Sequence, residues 1–444
     1  MHPLIVRRLL LPLHERLLSR RTLAELQSLD ESQWWTAERL AALQQARLRH
    51  LLQFVRERIP FYRSMLDSAG VDPETVTLAD LPRLPFLDKS TIRANLDQLC
   101  DKTIRGGLHR ATTGGSTGEP LMFYMDRSRQ AADQAARART RRWFGVELGE
   151  RELYLWGSPV EIRGSDRLKR LRDRLNNHRL LSAFHMTPRA MSGYVRQIHA
   201  FDPVHIFGYP SSLAHLVRHA RSAGLRLQNQ SLRAVFATGE TFTSADRAII
   251  EEAFSVPVSD GYGSREGGFV AHQCPLGAYH ITTEHMIVEL IDDHAQPATG
   301  DQIGEIVLTH LDSFGVPLIR YRTGDLAQWG APCKCGRGLA TLRAIMGRRT
   351  DLLKRSDGGT AHALSAIYVL RDEPSVAHFK ITQQPDLSLD VKIVARPASN
   401  SATRDRIVRR LQSQLGPLAI RITEVAEIPP DPSGKHRCVS QAAS

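Results

Sequence analysis

Thr112-Thr113-Gly114-Gly115-Ser116-Thr117-Gly118-Glu119-Pro120 is the stretch on which the reading of this chain turns. Three glycines and four hydroxyls in nine residues leave almost nothing to pack. Glycines let backbone N–H groups close around an anion, and hydroxyls add donors, so phosphate is the natural ligand. A Walker A loop needs Lys directly after its last glycine, and Glu119 stands there, which excludes that class. Taken alone, a plain flexible loop is the competing reading.

The segments after the loop alternate. Residues 152–155, 204–207, 234–237 and 286–291 are apolar runs of strand length, and 211–223 and 244–254 between them have helical spacing. Strand–helix alternation predicts an α/β body with a mostly parallel sheet. Before the loop the chain reads as helices, one of them from about Thr36 to Arg58 and stopped by Pro60. After 347 the texture changes to a small α+β unit: strands at 376–382, 387–394 and 420–428, and a helix at 403–415. The polar stretch 347–359 separates the two regions.

Composition bounds the partners. The chain has 444 residues, 42% apolar and 24% charged, an ordinary globular mix that excludes wholesale disorder. At about 150 residues per domain it holds two or three domains. The formal charge is +12, and only eight of the 59 cationic residues are lysine. That balance admits nucleic acid, anionic lipid or an anionic substrate. The Arg-rich helix at 129–142 lacks interleaved aromatics, so it reads as a solvated face, and no nucleic-acid partner is expected. No run of about 18 apolar residues occurs, so no span is expected. Residues 1–21 are interrupted by Arg7, Arg8, His14 and Glu15 and have no small-residue cleavage site, so they are not read as a signal peptide. Leu9, Leu11, Leu13, Leu17 and Leu18 there have amphipathic spacing. That helix either packs on the body with its arginines solvated or makes peripheral contact with an anionic membrane. A cytoplasmic location is the expectation.

Five cysteines are too few for a disulfide framework. Cys274, His280, Cys333 and Cys335 instead make a three-Cys, one-His set suited to closed tetrahedral zinc, with His272 an alternative imidazole. Such a site is structural and would clamp segment 274–335. Cys100 and Cys438 are isolated.

Further motifs follow the loop in order: Gly239-Glu240, 260–266 (DGYGSRE), 321–325 (YRTGD), 347–354 (GRRTDLLK) and 429–439 (PPDPSGKHRCV). Ile59-Pro60-Phe61-Tyr62, Leu84-Pro85-Phe86 and Gly208-Tyr209-Pro210-Ser211 accompany them. In this order and spacing the chain resembles the adenylate-forming enzymes, in particular the phenylacetate–coenzyme A ligase family and its branch associated with capsular polysaccharide clusters. The family pattern usually has Lys at Glu119, Ser at Gly114, and Thr or Ser at Arg265.

The resemblance implies a large N-terminal domain over 1–346 with the ATP and acyl sites, a hinge at 347–352 that includes Thr350 and Asp351, and a mobile lid over 353–444. It implies an ATP- and Mg²⁺-dependent AMP-forming ligase. A small carboxylic acid becomes an acyl-adenylate, and a thiol, commonly coenzyme A, displaces AMP. An amine or hydroxyl acceptor, or a non-catalytic scaffold of this fold, are the other readings, and the state is monomer or homodimer. By the same resemblance Thr112, Thr113, Gly114, Gly115, Ser116, Thr117 and Gly118 hold ATP phosphates. Gly239, Glu240, Asp260 and Gly261 line the nucleotide, and Tyr262 stacks on adenine. Glu266 holds Mg²⁺, Arg265 contacts the α-phosphate, Asp325 takes the ribose hydroxyls and Arg348 supports them. Lys435 reaches the α-phosphate from the lid. Tyr209, Phe236 and Trp156 are the expected walls of the acyl pocket.

Overall fold

The computed structural model describes residues 1–113, 121–157, 173–183, 186–240, 242–348, 352–357, 360–362, 366, 369–370, 373, 375–396, 401–429 and 439–442. Two compact units are present, the larger running to Ile345 and the smaller from Met346 onward, with Gly324–Leu326 grouped with the smaller.

Local chemistry sets the helical start. The Ala37–Arg58 helix is capped by the Thr36 hydroxyl, which accepts the Arg39 N–H at 3.4 Å. It stops where Pro60 removes a donor, and Pro60 in turn opens the next helix, Pro60–Ala69, at a position that needs none. Leu48, Leu51, Leu52 and Val55 of the first and Tyr62 and Leu66 of the second enter one core.

Beyond a two-stranded ladder of β1 (His109–Thr112) and β2 (Met122–Met125), the larger unit is built on an 11-stranded sheet. Five strands are parallel: β3 (Glu152–Trp156), β4 (His178–Ser182), β5 (His205–Gly208), β6 (Ala234–Thr238) and β7 (Val258–Ser264). Helices Pro188–Phe201, Pro210–Ser222 and Ser244–Phe254 connect them. These strands are apolar on both faces, as parallel strands covered on both sides must be. Leu153, Ile206, Val235 and Ala237 meet the connecting helices, while Phe207 and Phe236 face the other way.

From β7 the sheet continues antiparallel through β8 (Gly268–Gln273) and β9 (Tyr279–Ile281). It then runs through β13 (Thr341–Arg348), β12 (Tyr321–Trp329), β11 (Ile303–His310) and β10 (Met286–Ile291). The expected parallel character thus belongs to one half of a mixed sheet. The strand at 286–291 is where expected, but its partner β11 is antiparallel.

The Arg-rich helix, Arg127–Arg142, corrects the reading of a solvated face. Arg129 and Arg139 are fully buried, and Arg141 nearly so. Arg139 Nη1 meets Glu284 Oε1 at 2.6 Å, and Arg141 pairs with Glu152. Alanines at 131, 132, 135 and 136 let the helix lie close, and the long arginine stems supply apolar surface.

The smaller unit has its own sheet in the order β16 (Ile420–Glu424), β15 (Leu389–Ala395), β14 (Val376–Gln383), β17 (Val439–Gln441). Ile407, Leu411 and Leu415 of the Ser401–Leu415 helix pack on Ile381, Val391 and Ile393. Among the described residues no helix is long and apolar enough to cross a membrane.

Candidate functional site

Residues 114–120 of the glycine-rich loop expected to hold phosphate lie outside the described residues, but its base does not. Thr113 N donates to Leu121 O at 2.9 Å, and Leu121 N donates to Thr113 Oγ1 at 2.9 Å. Thr112 ends β1, and its carbonyl accepts from Arg265 Nη1 at 3.1 Å. Arg265 is thereby tied to the loop entrance, and its own carbonyl accepts from the buried Arg129 at 3.2 Å.

Arg265 belongs to the tight turn between β7 and β8. Within β7, Gly261 is required opposite His272, since a Cβ would lie 1.9 Å from that ring. The turn delivers Glu266 into the interior, where it is 5% exposed. Tyr321 Oη donates to Glu266 Oε1 at 3.0 Å, and Lys89 Nζ lies 3.0 Å from the same oxygen. Burial pushes the Glu266 pKa up, but the Lys89 charge and the hydrogen bonds outweigh it, and the net shift is downward. The carboxylate is therefore ionised.

Lys89 is the residue sequence reasoning missed, and its placement has a local cause. Leu84-Pro85-Phe86-Leu87 runs extended, and Leu87 N donates to Arg320 O at 3.0 Å while Arg322 N donates to Leu87 O at 2.8 Å. The Arg320 guanidinium sits 4.2 Å over the Phe86 ring. These contacts lay Leu87 beside Tyr321 as an isolated parallel bridge. Asp88 then caps the Lys89–Leu99 helix, accepting from Thr91 N at 2.7 Å. A cation at the first position of a helix opposes the macrodipole. One of only eight lysines standing there was the available signal.

At the carboxyl ends of β3, β5 and β6, where ligands of α/β sheets gather, Trp156 stacks on Tyr209 with centroids 3.9 Å apart. Gly239 turns beside them with φ +83°, and a Cβ on it would lie 3.2 Å from the Tyr209 ring. The structure thus brings Trp156, Tyr209 and Gly239 together. Phe236 lies beneath them in the core: it is 2% exposed, edge-on to Phe144 at 5.5 Å, with the Arg141 guanidinium 5.9 Å from its ring, in a cluster against which Trp156 packs. Glu240 Oε2 accepts from Ser211 N at 3.1 Å, so its side chain caps the Pro210–Ser222 helix.

Asp260 also faces inward. Its carboxylate accepts from the Tyr279 hydroxyl, and burial pushes its pKa up to about 7. A carboxyl raised from the usual 3.8 to about 7 holds its proton longer in the fold than in the unfolded chain, so its contribution is lost as pH rises through that window. Asp260→Asn is expected to abolish that loss: relative to the variant, the wild type should lose stability between about pH 4 and 7, read from urea midpoints. Tyr262 is half-buried and packs on two cores. Asp325 lies in β12, half-buried, and Arg348 ends β13. The Arg348 side chain and Lys435, Thr350, Asp351 and Cys438 lie outside what is described.

The cysteine cluster is assembled from distant elements. Cys274 follows β8, His280 is in β9, and Cys333 and Cys335 precede β13; their ligand atoms all lie within 4.8 Å of one another. Cys274 Sγ and Cys333 Sγ are 3.8 Å apart, and Cys335 Sγ and His280 Nε2 are 3.3 Å apart. A tetrahedron with the usual zinc bond lengths has edges of about 3.8 Å for S–S and about 3.5 Å for S–N. Burial, then the charges of Arg337 and Arg139, holds His280 down at about 4, in the neutral form a metal requires. His272 instead stacks on Phe269 at 3.8 Å. Among the described residues this is the group with metal-ligand spacing, and the donors fit zinc.

No family model matches the chain. Over 439 residues it is 28% identical to a phenylacetate–coenzyme A ligase of Thermus thermophilus, covering 90% of this chain and 96% of that one. Protein CapK of Staphylococcus aureus is 24% identical over 407 residues, covering 90% and 88%. A 2-hydroxyisobutyryl-CoA ligase, solved in the postadenylation state with 2-HIB-AMP, superposes with a TM-score of 0.74 at 22% identity, covering 91% and 90%. That last likeness is one of fold.

Proposed function

We propose, from the premise that the chain is one of the phenylacetate–coenzyme A ligase-like adenylate-forming proteins, that it is an AMP-forming acid–thiol ligase. ATP activates a carboxylic acid as its acyl-adenylate, and the acyl group passes to coenzyme A. The observation that carries this reading is the Glu266–Lys89–Tyr321 group, on a turn tied through Arg265 to the mouth of the phosphate loop.

Each residue has a physical task in this reaction. The loop backbone and the hydroxyls of Thr112 and Thr113 receive the β- and γ-phosphates. Arg265, standing where a hydroxyl residue is usual, offers a fork to the α-phosphate. Lys89 and Arg265 supply cations where Glu119 supplies none. Tyr262 offers a face to adenine, and Asp325 accepts the ribose hydroxyls with both oxygens. Trp156 and Tyr209 wall the acyl site. Lys435, carried by the smaller unit acting as a lid about a hinge at 347–352, neutralises charge developing on the α-phosphate. Mg²⁺ would be held by the Glu266 carboxylate and would screen the phosphate charge as a hard cation.

Zinc in the Cys274–His280–Cys333–Cys335 site is structural in this reading. About one equivalent per chain is expected by elemental analysis, falling well below half in Cys333→Ser. The deciding experiment for the function is carboxylate-dependent ATP–pyrophosphate exchange across a panel of acids, followed by release of AMP with coenzyme A, amines or alcohols. Exchange with at least one acid and AMP release with coenzyme A are expected. No exchange with any acid would leave a scaffold of this fold, and release only with amines or alcohols would replace the acceptor.

A further inference from the structure

The first residues of the chain form a rod that the reaction does not use. Pro3–Ile5 is α-helical, Val6–Leu10 is a π-helical stretch and Leu11–Leu17 is α-helical again. One face is fixed to the larger unit. Val6 is fully buried, and a Cβ on Gly149 would lie 3.0 Å from both Val6 Cβ and Pro3 O. Arg7 pairs with Glu147 at 3.0 Å. Glu15 is buried and accepts from Arg20 at 2.7 Å and from Thr22 N at 2.8 Å. Met1 N donates to Asn177 Oδ1 at 3.0 Å, and Asn177 Nδ2 returns a bond to Met1 O at 3.0 Å.

The opposite face is apolar and exposed. Met1, Leu4, Ile5, Leu9, Leu13 and Leu17 are each between 41% and 75% exposed. Five of them recur every fourth residue. In an α-helix that spacing drifts by about 40° per step, so the row would wind off one face. The π stretch, with its wider turn, takes up the drift and keeps the row together. Leu175, two residues from the asparagine that holds Met1, adds another exposed apolar side chain.

Charge identifies what such a row fits. Arg8, Arg16 and Arg21 are exposed beside it. The only acid in residues 1–21 is Glu15, which is turned inward and paired. A second copy docking row to row would set these arginines against one another without a counter-charge. An anionic bilayer offers acyl chains to the leucines and headgroup charge to the arginines at once.

We propose that residues 1–17 are a preformed peripheral docking surface for an anionic lipid bilayer. Because the rod is already ordered by its contacts with the body, binding need not fold it. The test is flotation with phosphatidylcholine vesicles, with and without phosphatidylglycerol, using the full chain. Flotation is expected only with phosphatidylglycerol, weakening with added salt. Arg8→Ser/Arg16→Ser should reduce partitioning about fivefold per arginine. Leu9→Glu/Leu13→Glu should reduce it at least about tenfold. Both variants alter exposed side chains, so unfolding midpoint and pyrophosphate exchange in solution should match wild type. Absence of flotation, equal flotation on neutral vesicles, or flotation unchanged in the Leu variant would overturn the proposal. So would a wild-type dimer by light scattering that Leu9→Glu/Leu13→Glu converts to monomer.

Discussion

Glu266→Gln is expected to lower ATP–pyrophosphate exchange by about 10²–10³-fold while leaving the protein folded. The substitution is close to isosteric, and the amide oxygen can still accept from the Tyr321 hydroxyl. What disappears is the negative charge that Lys89 neutralises and that would hold a hard cation. Lys89 keeps access to water through its 26% exposed side chain, so leaving it without a partner costs little folding energy. Stability and activity should therefore separate, with a nearly unchanged urea midpoint and a large fall in exchange. Lys89→Met/Glu266→Gln decides between the two roles of the pair. If Glu266 served only to neutralise the lysine, removing both would restore exchange. If it serves the reaction, the double variant stays at least as low as Glu266→Gln. Exchange within about threefold of wild type in the single variant would remove Glu266 from the reaction, since losing one preorganised charge from a dry site costs far more than that.

That constellation marks how far the sequence could be read. Glu266 and Arg265 were accessible because they share one short turn, and their motif carries its own glycine, which the His272 ring makes obligatory. Lys89 was not, because its approach to Glu266 depends on the Leu87–Tyr321 bridge, a contact between segments far apart in sequence. Phe236 looked like a pocket wall because it lies in a strand next to Gly239, but alternation along β6 and a covering helix place it in the core. Fold legibility divided the same way. β4, β5 and β6 are each followed by a helix that leads to the next strand, so that part of the sheet could be read locally. The antiparallel half joins β9 to β13 and β10 to β11, and no short-range pattern encodes the first of these. The four residues of the Cys/His cluster were readable as residue types, and Cys333 and Cys335 as a pair, but only the pairing of β9 with β13 accounts for His280 arriving beside them.

The Arg127–Arg142 helix is where periodicity misled, and it carries the largest stability prediction. A row of arginines reads as solvent-facing because burying an unpaired charge costs several kcal/mol. The chain meets that cost with partners on other elements. Arg139 and Glu284 side chains are each 1% exposed, and Ser32 donates to the same Glu284 oxygen at 2.6 Å. Burial pushes the Glu284 pKa up, but the Arg139 charge and the Ser32 hydroxyl prevail, and it ends below its usual value. Its contribution is therefore present above the usual carboxylate range and lost as pH falls through the folded value. Arg139→Met keeps the apolar stem and removes the charge, leaving a carboxylate buried without a counter-charge. We expect a loss of about 3–5 kcal/mol in the larger unit at neutral pH, read from its urea midpoint. In that variant the largest opposing influence on Glu284 is gone and burial, the leading one, is met only by the Ser32 hydroxyl and weaker neighbours, so the sign reverses. The deficit should shrink as pH falls below about 5 and the carboxyl takes up a proton. Arg139→Met/Glu284→Gln should recover most of the loss at neutral pH, because no charge is then left behind. A deficit independent of pH, or a double variant no better than the single, would mean that Arg139 acts through its packing against Trp143, 5.8 Å from its guanidinium, and not through its charge.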